Sequence, residues 1–546
     1  MQSDISASTE SRIIPFAIAL ISGFLYAAGY PLLGSEFSIP LAPALGLGLF
    51  WNRTQNLTCL KTKMWLGLAF CLGLNLLGYY WIGETVREFG SIPAPFNYFI
   101  LLLFTFLTLP QLLIFLLADH WLLKIPRYHA FRGPLVLAIL YTLIEQHLPQ
   151  QFPGFTGHSF LPLGKVLGLA PYLGAFFYSF VANWIAFSIS QLSFKFPNPK
   201  ILFPSFMLLL LTLVAGGLMP LQLPTSVPET PTLRVRFVQP NIGNNLKITS
   251  EKGDPFSLEN VLKKFSQLSI GSGAGIATEA KPDLIIWPET AFPVSLNAAE
   301  MMNNPFTVPE IHRDIMAKTG AEILFGGYDN NPLANGFFES EFNAVFHLKA
   351  PAEVKSVYRK IRLLAFGEGL PFGPINQVLS SYMSNISFFA KGSQFTEFKT
   401  KGNHPFISVI CYEILFPEFM RDFVNNVESY PQFIVNLTND SWFGNTSEPH
   451  QHLFLAKWRA LELGIPILRM TNTGISSILY EDSSESERIG IGEETAHDFV
   501  LPLHERKKTF YAAWGNLPTL LLMLLLLAGQ VIYQIYFSWK PSRNKS

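Results

Sequence analysis

Hydrophobic and polar positions divide the chain into two kinds of territory. Residues 12–220 and 513–539 are dense in Leu, Phe, Ile and Ala, whereas residues 232–505 carry most of the acids. In the apolar stretches, runs near 13–31, 36–51, 64–83, 94–118, 133–149, 166–190, 201–220 and 513–537 approach the roughly 20 residues a helix needs to cross a bilayer. That predicts about eight spans, seven before the polar region and one after. Two of these runs are weak, 36–51 because it is short and holds Pro40 and Pro43, and 133–149 because it holds Glu145 and His147.

Within the polar region the pattern changes to short apolar runs at 233–238, 284–286, 323–326, 344–348, 406–410, 433–436 and 467–470, which predict strands. Helical periodicity lies between several of them, as at 309–319 and 452–463. Alternation of this kind predicts layers of sheet and helix. The predicted organisation is a membrane domain at 1–220, a linker at 221–231, a soluble domain at 232–505, and a last span with a basic tail at 506–546.

Composition agrees with a membrane body: 49% of residues are apolar, only 14% are charged, and mean hydropathy is positive. Lys and Arg fall unequally between alternate loops. Arg12, Arg53, Lys61, Lys63, Lys124, Arg127, Arg132, Lys195, Lys200, Lys540, Arg543 and Lys545 lie on one side, Arg87 and Lys165 on the other. By the positive-inside rule both termini are expected in the cytoplasm and the 232–505 domain on the opposite, periplasmic face. The first span, ending in Ala27-Ala28-Gly29, reads as an uncleaved anchor. Equal numbers of basic and acidic residues, 39 each, give no sign of nucleic-acid binding.

Candidate chemistry centres on Cys411. Cys59 and Cys71 belong to the apolar half, so Cys411 is the sole cysteine of the polar domain and has no internal disulfide partner. Packing alone explains many free cysteines, and Cys411 closes the apolar run 406–410. Two other polar residues stand where strands should end. Glu289 follows Leu284-Ile285-Ile286-Trp287-Pro288, and Lys360 lies in Tyr358-Arg359-Lys360-Ile361-Arg362. Loops at strand ends are where scaffolds present reactive groups. A thiol, a carboxylate and an ammonium suit nucleophilic acyl transfer, with nucleophile, proton acceptor and oxyanion partner in turn. No phosphate loop and no zinc-spaced Cys or His pairs occur, and His450 and His452 read as structural rather than metal-binding. Neither a metal nor an organic cofactor is expected.

Local sequence then carries a resemblance that spacing does not. Trp287-Pro288-Glu289-Thr290, Lys360 with Phe366-Gly367-Glu368, Cys411-Tyr412-Glu413, and Asn439-Asp440-Ser441-Trp442-Phe443-Gly444 resemble the nitrilase (carbon-nitrogen hydrolase) superfamily. More narrowly they resemble its membrane-embedded branch, the apolipoprotein N-acyltransferases of the bacterial inner membrane. Pro449-His450-Gln451-His452, Arg459-Ala460-Leu461-Glu462 and Arg469-Met470-Thr471-Asn472-Thr473-Gly474 add to that likeness.

The resemblance implies a polytopic helical bundle carrying an α-β-β-α sandwich. It implies Glu289 as general base, Lys360 as oxyanion stabiliser and Cys411 as nucleophile, with Glu368, Tyr412 and Glu413 supporting them. It implies a ping-pong reaction, in which a phospholipid, typically phosphatidylethanolamine, donates an acyl chain to the thiol. The α-amino group of an S-diacylglyceryl cysteine on a lipoprotein then accepts it. The chain departs from the family at Ile248, where a tryptophan is common, at Ala365, where proline precedes Phe-Gly-Glu, and at Gly369-Leu370, a usually bulkier pair. These changes bear on acyl or headgroup preference rather than reaction type. The acidic stretch 481–487 reads as an exposed loop without chemistry. Two other readings stay open: a membrane-tethered amidase with water as acceptor, and an inactive scaffold or transporter in which Glu145 marks a pathway.

Overall fold

A computed structural model describes residues 2–88, 92–192, 199–219, 231–271, 281–334, 338–365, 367–381 and 387–539. Residues 221–230 of the expected linker, Lys195, Phe366 and the tail from Lys540 onward lie outside the described residues. The chain forms two compact units, one made of Met1–Gly83, Pro93–Leu221 and Ala513–Ser546, the other of Glu84–Ile92 and Gln222–Ala512.

The first unit is helical. Leu60–Gly78, Ala170–Ile189 and Leu517–Tyr536 are each long and apolar enough to cross a bilayer. Phe96–Thr108 and Pro110–Leu122 would together make a fourth span, bent by 46°. Pro110 causes the break, because its ring removes a backbone donor and clashes with the preceding turn. Ile13–Ala27 and Phe203–Leu218 are shorter apolar helices. Length and hydropathy thus support three or four spans among the described residues, and the expected eight goes beyond them.

Several polar groups of this unit are buried and paired. Lys63, counted above as a loop charge, lies in the first turn of Leu60–Gly78 with its ammonium 3.2 Å from Asp119, which Arg132 also meets at 2.7 Å. Glu145 accepts hydrogen bonds from the backbone N–H (2.7 Å) and hydroxyl (2.6 Å) of Thr156, so it caps the turn that begins there.

The second unit is built from two sheets. The first contains β1 (Thr232–Gln239), β2 (Leu284–Ile286), β3 (Ser295–Leu296), β4 (Glu322–Asn330), β5 (Glu341–Lys349), β6 (Glu353–Arg359) and β12 (Thr495–Pro502), in the order β12-β1-β2-β4-β5-β6 with β3 beside β4. The second contains β7 (Glu397–Lys399), β8 (Pro405–Ile410), β9 (Phe433–Thr438), β10 (Ile467–Thr471) and β11 (Ser477–Leu479), in the order β11-β10-β9-β8-β7. All seven strands expected from the apolar runs are present. Of the others, β6 sets Lys355 and Ser356 between Val354 and Val357 and β12 places His497 and Asp498 mid-strand, so neither is a continuous apolar run.

His347 of β5 packs against Phe398 of β7 and Phe406 of β8, with ring centroids 5.9 and 5.4 Å apart, so the sheets meet face to face. On the far side of the first sheet, Phe265 of helix Pro255–Ile270 stacks on Trp287 at 4.4 Å. Helix Glu448–Leu463 covers the second sheet, with Trp458 fully buried. The layers are helix, sheet, sheet, helix. Within each sheet the core strands run parallel, β1-β2-β4 and β8-β9-β10, so their C-terminal ends share an edge. Ligand sites of such sheets lie outside those ends.

The 481–487 stretch differs from expectation. Glu481 is buried, and its carboxylate lies 2.7 Å from Arg506, whose guanidinium also donates to the carbonyls of Gln432 and Gly464. Glu485 pairs with Lys457 and Arg488. These acids pin the end of the second sheet. Glu481→Ala is expected to lower stability by about 3 kcal/mol, because it strands a buried guanidinium, against under ~0.5 kcal/mol for neighbouring Asp482→Ala. Thermal melting of the two variants checks this; equal melting temperatures would refute the pinning role.

Candidate active site

Glu289, Lys360 and Cys411 come from three separate strand ends, and the fold brings them together. Glu289 follows β2 at the start of a tight turn. Thr290 there has φ 45° and Gly326 of β4 packs underneath, where a Cβ would fall 2.5 Å from the Thr290 nitrogen and 2.6 Å from the Pro288 oxygen. Only glycine at 326 lets the turn close. Lys360 follows β6, its backbone N–H donating to the Asn343 carbonyl at 2.8 Å. Cys411 follows β8 with φ 51°, in the left-handed region that costs a residue with a side chain about 1–3 kcal/mol. Strain of this kind persists only where surrounding contacts impose it.

All three side chains are buried, at 7%, 1% and 7% exposure in that order. The Lys360 ammonium lies 3.3 Å from Glu289 Oε1 and 2.7 Å from Glu368 Oε2. Asn343 of β5 donates through one amide group to both carboxylates, at 2.8 Å to Glu289 and 2.9 Å to Glu368. The remaining oxygens are also held: Glu289 Oε2 accepts from the Asn439 backbone at 2.9 Å, and Glu368 Oε2 from the Leu364 backbone at 2.9 Å.

Electrostatics follow from this arrangement. Burial alone would depress the Lys360 ammonium, but the Glu368 and Glu289 carboxylates outweigh it and hold the group charged, above its ordinary value. Cys411 goes the other way from a simple ammonium-activated thiol. Burial and then the Glu289 carboxylate push its pKa well up, and Lys360 offsets only part of this. The resting residue is therefore a neutral thiol. It can become a nucleophile only as a base removes its proton, and Glu289 is the carboxylate whose field it feels most.

Glu413 sits at the back of the site with no exposed surface. Its carboxylate accepts from the backbone N–H groups of Ile410 (2.9 Å), Ile361 (2.8 Å) and Arg362 (2.9 Å), and from the Tyr358 hydroxyl at 2.9 Å. It caps the 3-10 turn Cys411–Leu415 while tying the residue before Cys411 to the residues after Lys360. The resemblance implied only a supporting role for Glu413; in the fold it is a clamp between two strand ends. Tyr412 donates its hydroxyl to Glu448 and stacks on His452, with ring centroids 4.7 Å apart. Asn343 was missed by sequence reasoning, and its only signal is a polar residue set directly before an apolar strand run.

Known proteins resemble the chain over nearly its whole length. Residues 234–500 match the carbon-nitrogen hydrolase family and residues 22–188 match the apolipoprotein N-acyltransferase N-terminal domain. An apolipoprotein N-acyltransferase of Haemophilus ducreyi is 30% identical over 489 residues, covering 86% of this chain and 88% of that protein. The chain belongs to the apolipoprotein N-acyltransferase family. A second member, from Bdellovibrio bacteriovorus, is 29% identical over 96% of this chain and 94% of its own length. Among solved structures, an amidase from Nesterenkonia is 18% identical over 50% of this chain and 90% of its own, with a TM-score of 0.34.

Because burial and Glu289 raise the Cys411 pKa, its alkylation by iodoacetamide is expected to keep climbing with pH beyond about 8.5, where a free thiol levels off. Mass-spectrometric rates from pH 6 to 10 test this. A plateau at or below pH 8 would mean an activated thiolate at rest.

Proposed function

We propose that the protein is an apolipoprotein N-acyltransferase working through a Cys411 thioester, with its catalytic domain on the periplasmic face of the inner membrane, about eight spans and both termini cytoplasmic. The observation that carries this reading is the buried Glu289–Lys360–Glu368 cluster beside the Cys411 thiol, in a chain with an apolar helical unit. The expected substrates are a phospholipid donor such as phosphatidylethanolamine and a lipoprotein bearing an S-diacylglyceryl cysteine.

In the first half-reaction Glu289 takes the Cys411 proton as sulfur attacks the ester carbonyl. The Lys360 charge balances the oxyanion that forms, a role worth several kcal/mol where water is excluded. Collapse breaks the carbon–oxygen bond, and Glu289 returns the proton to the departing lysophospholipid oxygen. In the second half the lipoprotein amine attacks the thioester, Glu289 accepts a proton from nitrogen, and the sulfur leaves and regains it. Glu368 holds Lys360 in place throughout, and its second negative charge keeps the lysine an ammonium. Water as acceptor would make the same centre a hydrolase, an amidase where the donor is an amide; the apolar unit favours lipid-anchored partners, since a water-soluble substrate needs no such body.

Purified protein incubated with phospholipid and no acceptor is expected to gain one acyl mass that hydroxylamine removes, and Cys411→Ala to gain none. Glu289→Gln and Lys360→Met should form the adduct about 100-fold or more slowly. A diacylglyceryl peptide should then discharge the adduct as an amide. Release as free fatty acid, whether or not the peptide is present, would favour the hydrolase instead.

A further inference from the structure

Behind Cys411 lies a second set of buried polar groups that the reaction above does not use. Arg469 of β10, Asn436 of β9 and the end of β8 are neighbours across three parallel strands. Arg469 donates to the Asn436 side-chain carbonyl at 2.9 Å, and the Asn436 amide donates to the Cys411 backbone carbonyl at 3.2 Å. A second arm of the same guanidinium reaches Asp440 at 2.8 Å. Asp440 Oδ1 lies 3.5 Å from His452 Nδ1, and that nitrogen lies 3.6 Å from Glu448 Oε1, the atom that receives the Tyr412 hydroxyl. Both ends of this network therefore finish on the Cys411–Tyr412 pair.

Its charge state follows from the contacts. Arg469 is matched by Asp440. Among the described residues Glu448 has no Lys or Arg ion-pair partner, stands beside Asp440, and keeps a buried Oε2 without a hydrogen-bond partner. An ionised carboxylate in that position would be uncompensated, so Glu448 is the group that holds a proton. Burial and the Asp440 charge raise its pKa well above the carboxylate range, while burial and Arg469 lower His452 to about 4. Asp440, Glu448 and His452 do present ligand atoms within 4.8 Å of one another, as a metal site would, but Arg469 already supplies the cation.

We propose that Arg469, Asp440, His452 and Glu448 are positioning residues: Arg469, through Asn436, holds the Cys411 peptide in its left-handed turn, and a protonated Glu448 holds the Tyr412 ring beside it. The role in acyl transfer rests on Cys411 being the nucleophile. Gly474 offers an independent handle, because a Cβ there would fall 2.1 Å from Asp440 Oδ2. Gly474→Ala must displace the carboxylate without deleting any polar group.

The test measures thioester formation by the full chain against phospholipid concentration, together with donor-free iodoacetamide alkylation of Cys411. Glu448→Gln, which keeps a neutral donor and acceptor, is expected to stay within about threefold of the native rate. Glu448→Ala should lose about 100-fold at saturating donor, with the half-saturating concentration little changed, and Gly474→Ala should lose in the same sense. Equal loss in Glu448→Gln and Glu448→Ala would overturn the protonated state. Native rates in Glu448→Ala and Gly474→Ala, or a change confined to half-saturation, would overturn the positioning role. If Glu448→Ala does not melt cooperatively, Glu448→Gln and Gly474→Ala decide. If the native chain forms no adduct, acyl transfer through Cys411 fails by itself, and the alkylation rates of the same variants still decide whether the network positions the thiol.

Discussion

One buried ammonium between two carboxylates sets the conditions for everything around it. Lys360 sits against Glu289 and Glu368 with almost no exposure, leaving the cluster one negative charge in excess. Desolvating such a group is expensive unless every lone pair finds a donor. The fold supplies those donors from distant places: the Asn343 amide, and the backbones of Asn439 and Leu364. Burial first, and the Glu289 carboxylate next, suppress thiolate formation at Cys411.

That centre dictates backbone geometry nearby. Glu289 and Cys411 both stand at sheet edges next to a non-glycine residue with positive φ, Thr290 in one case and Cys411 itself in the other. Sharp turns there project the side chain out of the strand direction and across the gap between the sheets. Strain of this order is tolerated because each turn is pinned from behind, by the Gly326 backbone under Glu289 and by Glu413 and Asn436 at Cys411. Glu413 clamps two strand ends with four hydrogen bonds, so removing it would disturb both Lys360 and Cys411.

Much of this was legible in the sequence, and the exceptions share a cause. Continuous apolar runs marked seven strands because strands buried on both faces leave no polar register to obscure them. Strands β6 and β12 escaped since charged or hydroxyl residues interrupt their apolar positions; β6 is the hairpin neighbour of β5, whereas β12 pairs with β1, far away in the chain. Glu289 and Cys411 could be read as polar groups closing apolar runs, whereas Lys360 follows a strand that charged residues interrupt. Asn343 could not, since its value comes from contact with carboxylates that follow β2 and β6, a relation that exists only once the sheet is assembled. Lys63 and Glu481 failed in the same way: each looked like a solvated charge, and each is buried against a partner at least 25 residues distant, Asp119 and Arg506. Eight spans were read from composition; length and hydropathy support three or four among the described residues, the fourth being a pair of helices bent at Pro110.

The two polar networks around Cys411 share no side chain, yet they meet in a single turn. Asn439 gives its backbone N–H to Glu289, and the next residue, Asp440, gives its carboxylate to Arg469. Asn472 donates to the Asn439 side chain at 3.0 Å and accepts from the Ile242 backbone at 2.9 Å, bracing the turn against the first sheet. Any shift of this turn therefore moves the base and the support behind the nucleophile together. In the proposed reaction Glu289 accepts and returns a proton twice per cycle, so this one shared turn would serve both half-reactions.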